Sequence, residues 1–420
     1  MLNAIRERFC RFTPALTNPA WRGVSLNPRV RPLLLNGVLR LATFLGKELL
    51  GNRTKPESGG ASIFVFVGSQ NNLASAQDAF GKRSDTKIWT FHNLKKEGLP
   101  HLSLFWQYLT GLWVLFLFPL FLFTERRPYV RRAMCAHLDE FVLSMGSIKS
   151  VRSFLKNAQP RLVVVMSTLS SYQNVIVEAA NELRIPTLFM THAPVGRGQI
   201  PLPTTHAFID GTFQEQLFAV GTTKMTVTGS PRGMRLRELA MDRSDKPGLI
   251  IATNTLIESL DEIDAALNKL RSMYGSRLPL ALRPHPADSV RFARHRAIAA
   301  KYGAVYHDPQ YVLSDGLEDF RFLAAPQSGI LIDGLLLGFW PLVIKAISPQ
   351  PKCEDVLDDY YGLKELELVG ELDLQRPYIS QIHVSQKNLA FLDKAADPDW
   401  NVEAAINAGI KDILREANTL

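Results

Sequence analysis

The chain has 420 residues, 46% hydrophobic and 21% charged, with a net charge of +8 and a pI near 9.3. That length accommodates two domains of ordinary size, and the balance of apolar and charged residues excludes a disordered chain. Three widely spaced cysteines, Cys10, Cys135 and Cys353, exclude a disulfide framework and a cysteine-based zinc site and fit a reducing, cytoplasmic compartment.

Residues 1–60 read as a basic N-terminal segment, irregular at first because Pro14, Pro19, Pro28 and Pro32 break any long helix. The polar and basic start lacks an apolar core with a small-residue cleavage site, so no secretory signal is expected. From Leu33 to Leu50 the pattern turns helical, with Leu34, Val38, Leu41, Leu45 and Leu49 at three- and four-residue steps and Arg40 and Lys47 beside them. Such a helix fits a membrane surface or the protein's own core.

Residues 61–234 read as a first α/β domain. Ser62-Ile-Phe-Val-Phe-Val67 is a buried strand, and Lys87-Ile-Trp-Thr-Phe91 is a second, ending at His92. Then 102–123 runs without a formal charge, long enough as a helix to cross the ~30 Å bilayer core. Strands on both sides and basic flanks at both ends (Lys95, Lys96, then Arg126, Arg127, Arg131, Arg132) argue against a simple span. The favoured expectation is an insertion into one leaflet through Leu104, Phe105, Trp106, Trp113, Phe116, Phe118 and Phe121. A core hairpin and a true span are the alternatives.

The rhythm resumes with strands at Arg161–Met166, Thr187–Met190, Ala207–Ile209 and Met225–Thr228, separated by helices. His192 follows the second of these strands. Residues 235–247 read as a linker, 248–348 as a second α/β domain, and 349–420 as an extension with a terminal helix. The second domain offers strands at Leu249–Ala252, Leu278–Leu282, Phe320–Ala324 and Pro341–Ile344.

Two such halves leave a cleft, and parallel sheets bind ligands beyond the carboxyl ends of their strands. His192, Thr253, Asn254, Arg283, His285, Ser328 and Gly329 all fall there. Arg283-Pro284-His285-Pro286 is either a rigid turn or a phosphate clamp, since each proline keeps the residue before it extended. Ser328-Gly329 is either an ordinary helix cap or, with free N–H groups and the helix dipole, the other side of a diphosphate site. His192 is either a general base or a structural imidazole. No acidic cluster or paired histidines call for a metal. The basic excess fits an anionic membrane surface or a phosphorylated substrate, and without an aromatic-basic stripe nucleic acid is not expected.

At these motifs the chain resembles the GT-B glycosyltransferases that build bacterial surface and capsular polysaccharides. The residues that carry the resemblance are Pro160-Arg-Leu-Val-Val-Val, Glu178-Ala-Ala-Asn-Glu-Leu, Ile185-Pro-Thr, Thr191-His-Ala, Thr228-Gly-Ser-Pro, His285-Pro286 and the Ser328-led helix. Teichoic-acid glycerophosphotransferases, polysialyltransferases and capsule Kdo transferases share this layout. Thr-His-Ala stands where the group has Gln-His-Gly, and Ile209-Asp210-Gly211 matches the acid-acid-Gly motif of bacterial sialyltransferases only in part.

The resemblance implies two Rossmann-type domains facing a cleft. It also implies transfer of a sugar or polyol-phosphate from a nucleotide donor to a lipid-linked or growing polysaccharide acceptor, with no cofactor. His285 and Ser328 would contact donor phosphate, and His192 would be catalytic or acceptor-side. Asp333 would match a helix residue often Glu in retaining members, though an acid there also pairs locally. A nucleotide-sugar 2-epimerase and a silent membrane scaffold are the rival readings.

Overall fold

Ile63-Phe-Val-Phe-Val67 has no polar side chain because it lies inside a parallel sheet covered on both faces. The computed structural model describes residues 2–13, 33–50, 62–91, 94, 98–167, 170–191, 203–217, 222–253, 259–326, 328–345, 363, 365–374, 378–379 and 385–418. His192 and Asn254, together with His92, lie outside the described residues.

The first sheet contains β1 (Ile63–Val67), β2 (Thr86–Thr90), β3 (Leu162–Val165), β4 (Thr187–Met190), β5 (His206–Ile209) and β6 (Lys224–Val227). Their order is β2-β1-β3-β4-β5-β6, all parallel. The second contains β7 (Gly248–Ala252), β8 (Leu280–Arg283), β9 (Val305–Tyr306), β10 (Phe320–Ala325), β11 (Trp340–Lys345), β12 (Gly370–Asp373) and β13 (Tyr378–Ile379). Their order is β13-β12-β11-β10-β7-β8-β9, parallel except between β12 and β13. The protein is thus α/β, with two Rossmann-type sheets in a GT-B-like pair. Gly370–Asp373 and Tyr378–Ile379 extend the second sheet beyond the expected domain end at 348.

Alternation along β1 splits the first core in two. Phe64 and Phe66 face a thick helical layer, while Ile63, Val65 and Val67 face the terminal helix Val402–Ala417. That helix returns from beyond the second sheet and packs Val402, Ile406, Ile410 and Ile413 on the first. It comes close: a Cβ on Gly409 would sit 2.6 Å from the Phe208 ring.

The helical layer holds the largest departures from expectation. Leu2–Phe12 is a helix, not an irregular start; Ile5, Phe9 and Phe12 are buried, and Phe9 meets Phe141 edge-on with centroids 5.2 Å apart. Phe105–Thr124 is one continuous helical stretch of 20 residues, long and apolar enough by length and composition to cross a membrane, with about a third of it buried inside the protein. Helix Phe105–Gly111, the 3-10 turns Leu112–Leu117 and helix Phe118–Thr124 follow in series; helix Leu138–Met145 folds back against the first two, and helix Pro128–Ala136 packs on Leu33–Leu50 and Leu138–Met145. Leu104, Phe118 and Phe121 are buried in the protein core and cannot face lipid, because these turns direct them onto the first sheet's cover. Phe105 is half-buried; Trp106, Trp113 and Phe116 are exposed.

Glycines permit the fold-back. A Cβ on Gly111 would lie 2.0 Å from the Val142 carbonyl oxygen, and one on Gly146 1.9 Å from that of Gln107. The stretch read as a linker begins inside a helix, Pro231–Glu238, capped by the Ser230 hydroxyl, which accepts from Gly233 N–H at 2.8 Å.

Candidate active site

The chain runs from β7 out to β8 and β9, then returns to place β10 on the other side of β7. Strand order therefore reverses between β7 and β10, where the carboxyl ends leave an open crevice. Thr253 follows β7, Arg283 ends β8, and Ser328 follows β10. The structure brings these three together with His285, Gly329 and Asp333 around a cavity of about 410 Å³. The corresponding reversal in the first sheet, between β1 and β3, is closed by amides. Gln173 Oε1 accepts from the N–H groups of Met166 and Ser167 at 2.8 Å, and its Nε2 donates to Asn72 Oδ1 at 3.1 Å.

Of the predicted residues, Thr253, Arg283, His285, Ser328, Gly329 and Asp333 line this cavity, while His192 and Asn254 lie outside the described residues. Arg283 lines it, but its guanidinium is turned into the loop at 307–311. It donates to His307 Nδ1, to the carbonyls of Asp308 at 3.4 Å and Pro309 at 3.3 Å, and to that of Tyr311 at 3.0 Å. Burial lowers its pKa, and the charge is spent on those carbonyls. The loop so held presents Tyr311, Val312 and Leu313 to the cavity, with Tyr311 and Val312 exposed.

The backbone N–H of His285 donates to Thr253 Oγ1 at 3.3 Å, tying the second half of Arg-Pro-His-Pro to the end of β7. Burial lowers the His285 pKa below its ordinary value, so its half-buried imidazole is neutral at pH 7. The Ser328 hydroxyl accepts from Ile330 N–H at 3.3 Å, but the N-cap of the seven-residue helix Ile330–Leu336 is Gly329, so Ser328 is not the ordinary helix cap. Asp333, buried on that helix, accepts a hydrogen bond from Arg232, and burial raises its pKa.

Arg232 and Arg235, which the sequence reading left at a domain end and in a linker, supply positive charge to the same cavity. They sit three residues apart on helix Pro231–Glu238, a spacing that puts both on one face. That spacing, directly after a Gly-Ser-Pro turn, was the available signal. Opposite them, Asn71, Ser75 and Asp78 project from helix Gln70–Phe80 at the matching steps, and Arg235 pairs with Asp78 at 3.3 Å. The cavity therefore lies between the two sheets, with both halves contributing walls.

Behind it is a small void of about 30 Å³ lined by Thr191, Asp210, Ser230, Asp333 and Asp393. Thr191 and Gln214 donate to the Asp210 carboxylate, the latter at 3.0 Å. Ser230 gives Asp393 its backbone N–H at 3.1 Å and its hydroxyl at 2.6 Å. Burial, then the neighbouring Asp393 charge, pushes the Asp210 pKa up to about 7. Asp393 is likewise raised, first by burial. Among the described residues no group of three or more His, Cys, Asp or Glu is arranged to hold a metal ion.

No family model and no curated protein matches this chain. Among solved structures, UDP-GlcNAc 2-epimerase from Neisseria meningitidis bound to UDP-GlcNAc is 12% identical with a TM-score of 0.47, over 84% of this chain and 99% of that one. MnaA of S. aureus with UDP is 10% identical with a TM-score of 0.45, over 85% and 97%. The wall teichoic acid polymerase TagF is 12% identical with a TM-score of 0.43, over 92% and 96%. Likenesses at these identities and scores carry nothing about substrate or reaction.

Proposed function

We propose that this chain is a transferase of the GT-B kind. It moves a glycosyl or polyol-phosphate group from a nucleotide-activated donor to a lipid-linked or growing polysaccharide acceptor at the cytoplasmic face of a membrane. The observation that carries the reading is the cavity at the β7/β10 reversal, with hydroxyl and imidazole groups on one wall and two arginines on the other. Thr253, His285 and Ser328 bind the donor phosphates as neutral hydrogen-bonding groups, with Gly329 beside them, and Asn254, outside the described residues, is assigned the same task. Tyr311 and Val312 give the nucleobase an apolar surface.

In the reaction an acceptor hydroxyl oxygen attacks the transferred group, the bond to the nucleotide phosphate breaks, and the hydroxyl proton passes to a base, assigned to His192. Arg232 and Arg235 stabilise the charge that develops on the departing nucleotide. This scheme requires no metal. Asp333 holds the Arg232 guanidinium at the cavity until phosphate competes for it.

The test is thermal unfolding of the full chain with CMP-, CDP-, UDP- and GDP-linked donors, since a ligand of the native state raises its stability. One nucleotide class is expected to raise the midpoint. Arg232→Ala and His285→Ala should each weaken that effect, Arg232→Ala by roughly tenfold or more in affinity. Unchanged donor turnover in His285→Ala removes the phosphate site, and product formation without any acceptor replaces transfer by epimerisation.

A further inference from the structure

Two helical segments of the first half are turned inside out. Helix Leu33–Leu50 directs two of its charged groups, Arg40 and Glu48, inward: Arg40 donates to both carboxylate oxygens of buried Asp139 at 3.0 Å. Its buried Glu48 accepts from the Ser103 hydroxyl at 2.7 Å and from Leu104 N–H at 2.9 Å. The outward face carries Leu34, Leu35, Val38, Leu39 and Leu49.

Segment 105–124 repeats the inversion. Gln107 is fully buried and donates to the carbonyls of Leu143 and Gly146 at 3.0 and 2.8 Å. Trp106, Leu109, Trp113, Phe116, Leu120 and Phe123 are exposed, Phe116 by 89% and Phe123 by 88%. A helix on a water-facing surface has the opposite arrangement. The Glu48 contacts place the end of the first segment against the start of the second.

We propose that these two faces form one docking surface for an anionic bilayer, entering a single leaflet without crossing it. Charge selects this occupant. Lys47, Arg126, Arg131 and Arg132 are exposed beside the apolar face and complement acidic headgroups. A second copy of a chain with net charge +8 would bring like charges together at the same place. Trp106 and Trp113 supply amphipathic rings suited to the headgroup level.

Crossing is opposed by the inward face. Tyr108, Val114, Phe118 and Phe121 belong to the first core, where Phe121 meets Phe141 edge-on at 5.6 Å. A spanning rod would withdraw them. The docking deepens the acceptor half of the reading above, and rests on that reading only for its purpose.

The full chain is mixed, without nucleotide, with vesicles of phosphatidylcholine alone or with a one-third share of phosphatidylglycerol, and floated. Protein is expected to float with the acidic vesicles, and the summed emission of the chain's six tryptophans should shift to the blue. F116E/F123E should lower recovery about tenfold or more, as lost apolar burial requires. R131Q/R132Q should abolish the preference for acidic lipid, roughly a tenfold effect.

Both pairs are surface changes, and an unaltered unfolding midpoint with retained donor response verifies that they fold. The tryptophan shift of the unmodified chain needs no variant. Equal recovery of F116E/F123E and the parent chain, or no emission shift, overturns the proposal. So does a parent dimer that F116E/F123E makes monomeric with no vesicle binding. Vesicle binding without any donor response would overturn the transferase reading and leave the docking intact.

Discussion

At the residue scale the cleft depends on where charge is spent. Arg283 stands at the end of a buried strand, and the surrounding carbonyls take its hydrogen bonds before any ligand arrives. Arg232 keeps its guanidinium at the cavity because Asp333 holds it there. Deeper in, Asp210 keeps a proton that an ordinary aspartate would release. Its folded pKa, about 7, exceeds the unfolded value, so its stabilising contribution is complete below about pH 4 and is lost as pH rises through 7. Between pH 5 and pH 8 this loss runs against the gain from His206, His285, His295 and His307, whose pKa values burial lowers, so it is read as a difference between chains. In urea unfolding Asp210→Asn should fare better at pH 8 relative to pH 5 than the parent does; an Asn variant with the parent's pH dependence would remove Asp210 as a source of it.

At the scale of elements, small residues decide how the helical layer closes. Gly111 and Gly146 let helices Phe105–Gly111 and Leu138–Met145 touch through backbone. Gly111→Ala should therefore cost about 1–3 kcal/mol or more in denaturant unfolding, since the new methyl group must displace a carbonyl. A neutral result would mean that the helices separate freely. The strands were legible in sequence because Ile63–Val67, Leu162–Val165 and Leu249–Ala252 are apolar runs bounded by polar turns. The crevice was legible too, since Thr253, His285 and Ser328 each follow such a run. The orientation of helix Leu33–Leu50 was not. Leucines occur on several of its sides, so periodicity could not tell that Leu41 is buried while Leu34, Val38 and Leu49 are exposed. Deciding that required the partners of Arg40 and Glu48, which lie 99 and 55 or more residues away in sequence. Arg232 and Arg235 were missed for a similar reason: their spacing after Gly-Ser-Pro puts them on one face of a helix, but which face meets a cleft depends on helix Gln70–Phe80, far away in sequence.

At the scale of the whole molecule, the two halves are joined by interlocking rather than by a single tether. Helix Pro231–Glu238 leaves the first sheet, and the chain recrosses near Asp393 before its terminal helix settles on the first sheet. Lys224 and Glu416 fasten that helix at 2.7 Å, and Trp400 donates to the Thr228 carbonyl at 2.8 Å. Removing residues 402–418 should expose one face of β1 and β3 and unfold the first half ahead of the second. Pulsed proteolysis should then cut within 62–227 first; simultaneous loss of both halves would argue for one cooperative unit. The same return has a consequence during synthesis. The last strand of the first sheet, Lys224–Val227, precedes Val402 by about 175 residues. At ribosomal rates that is a wait of roughly 10–35 s during which the nascent sheet lacks its cover. Throughout that interval segment 105–124 has already emerged, so a nearby bilayer has the first opportunity to shelter it.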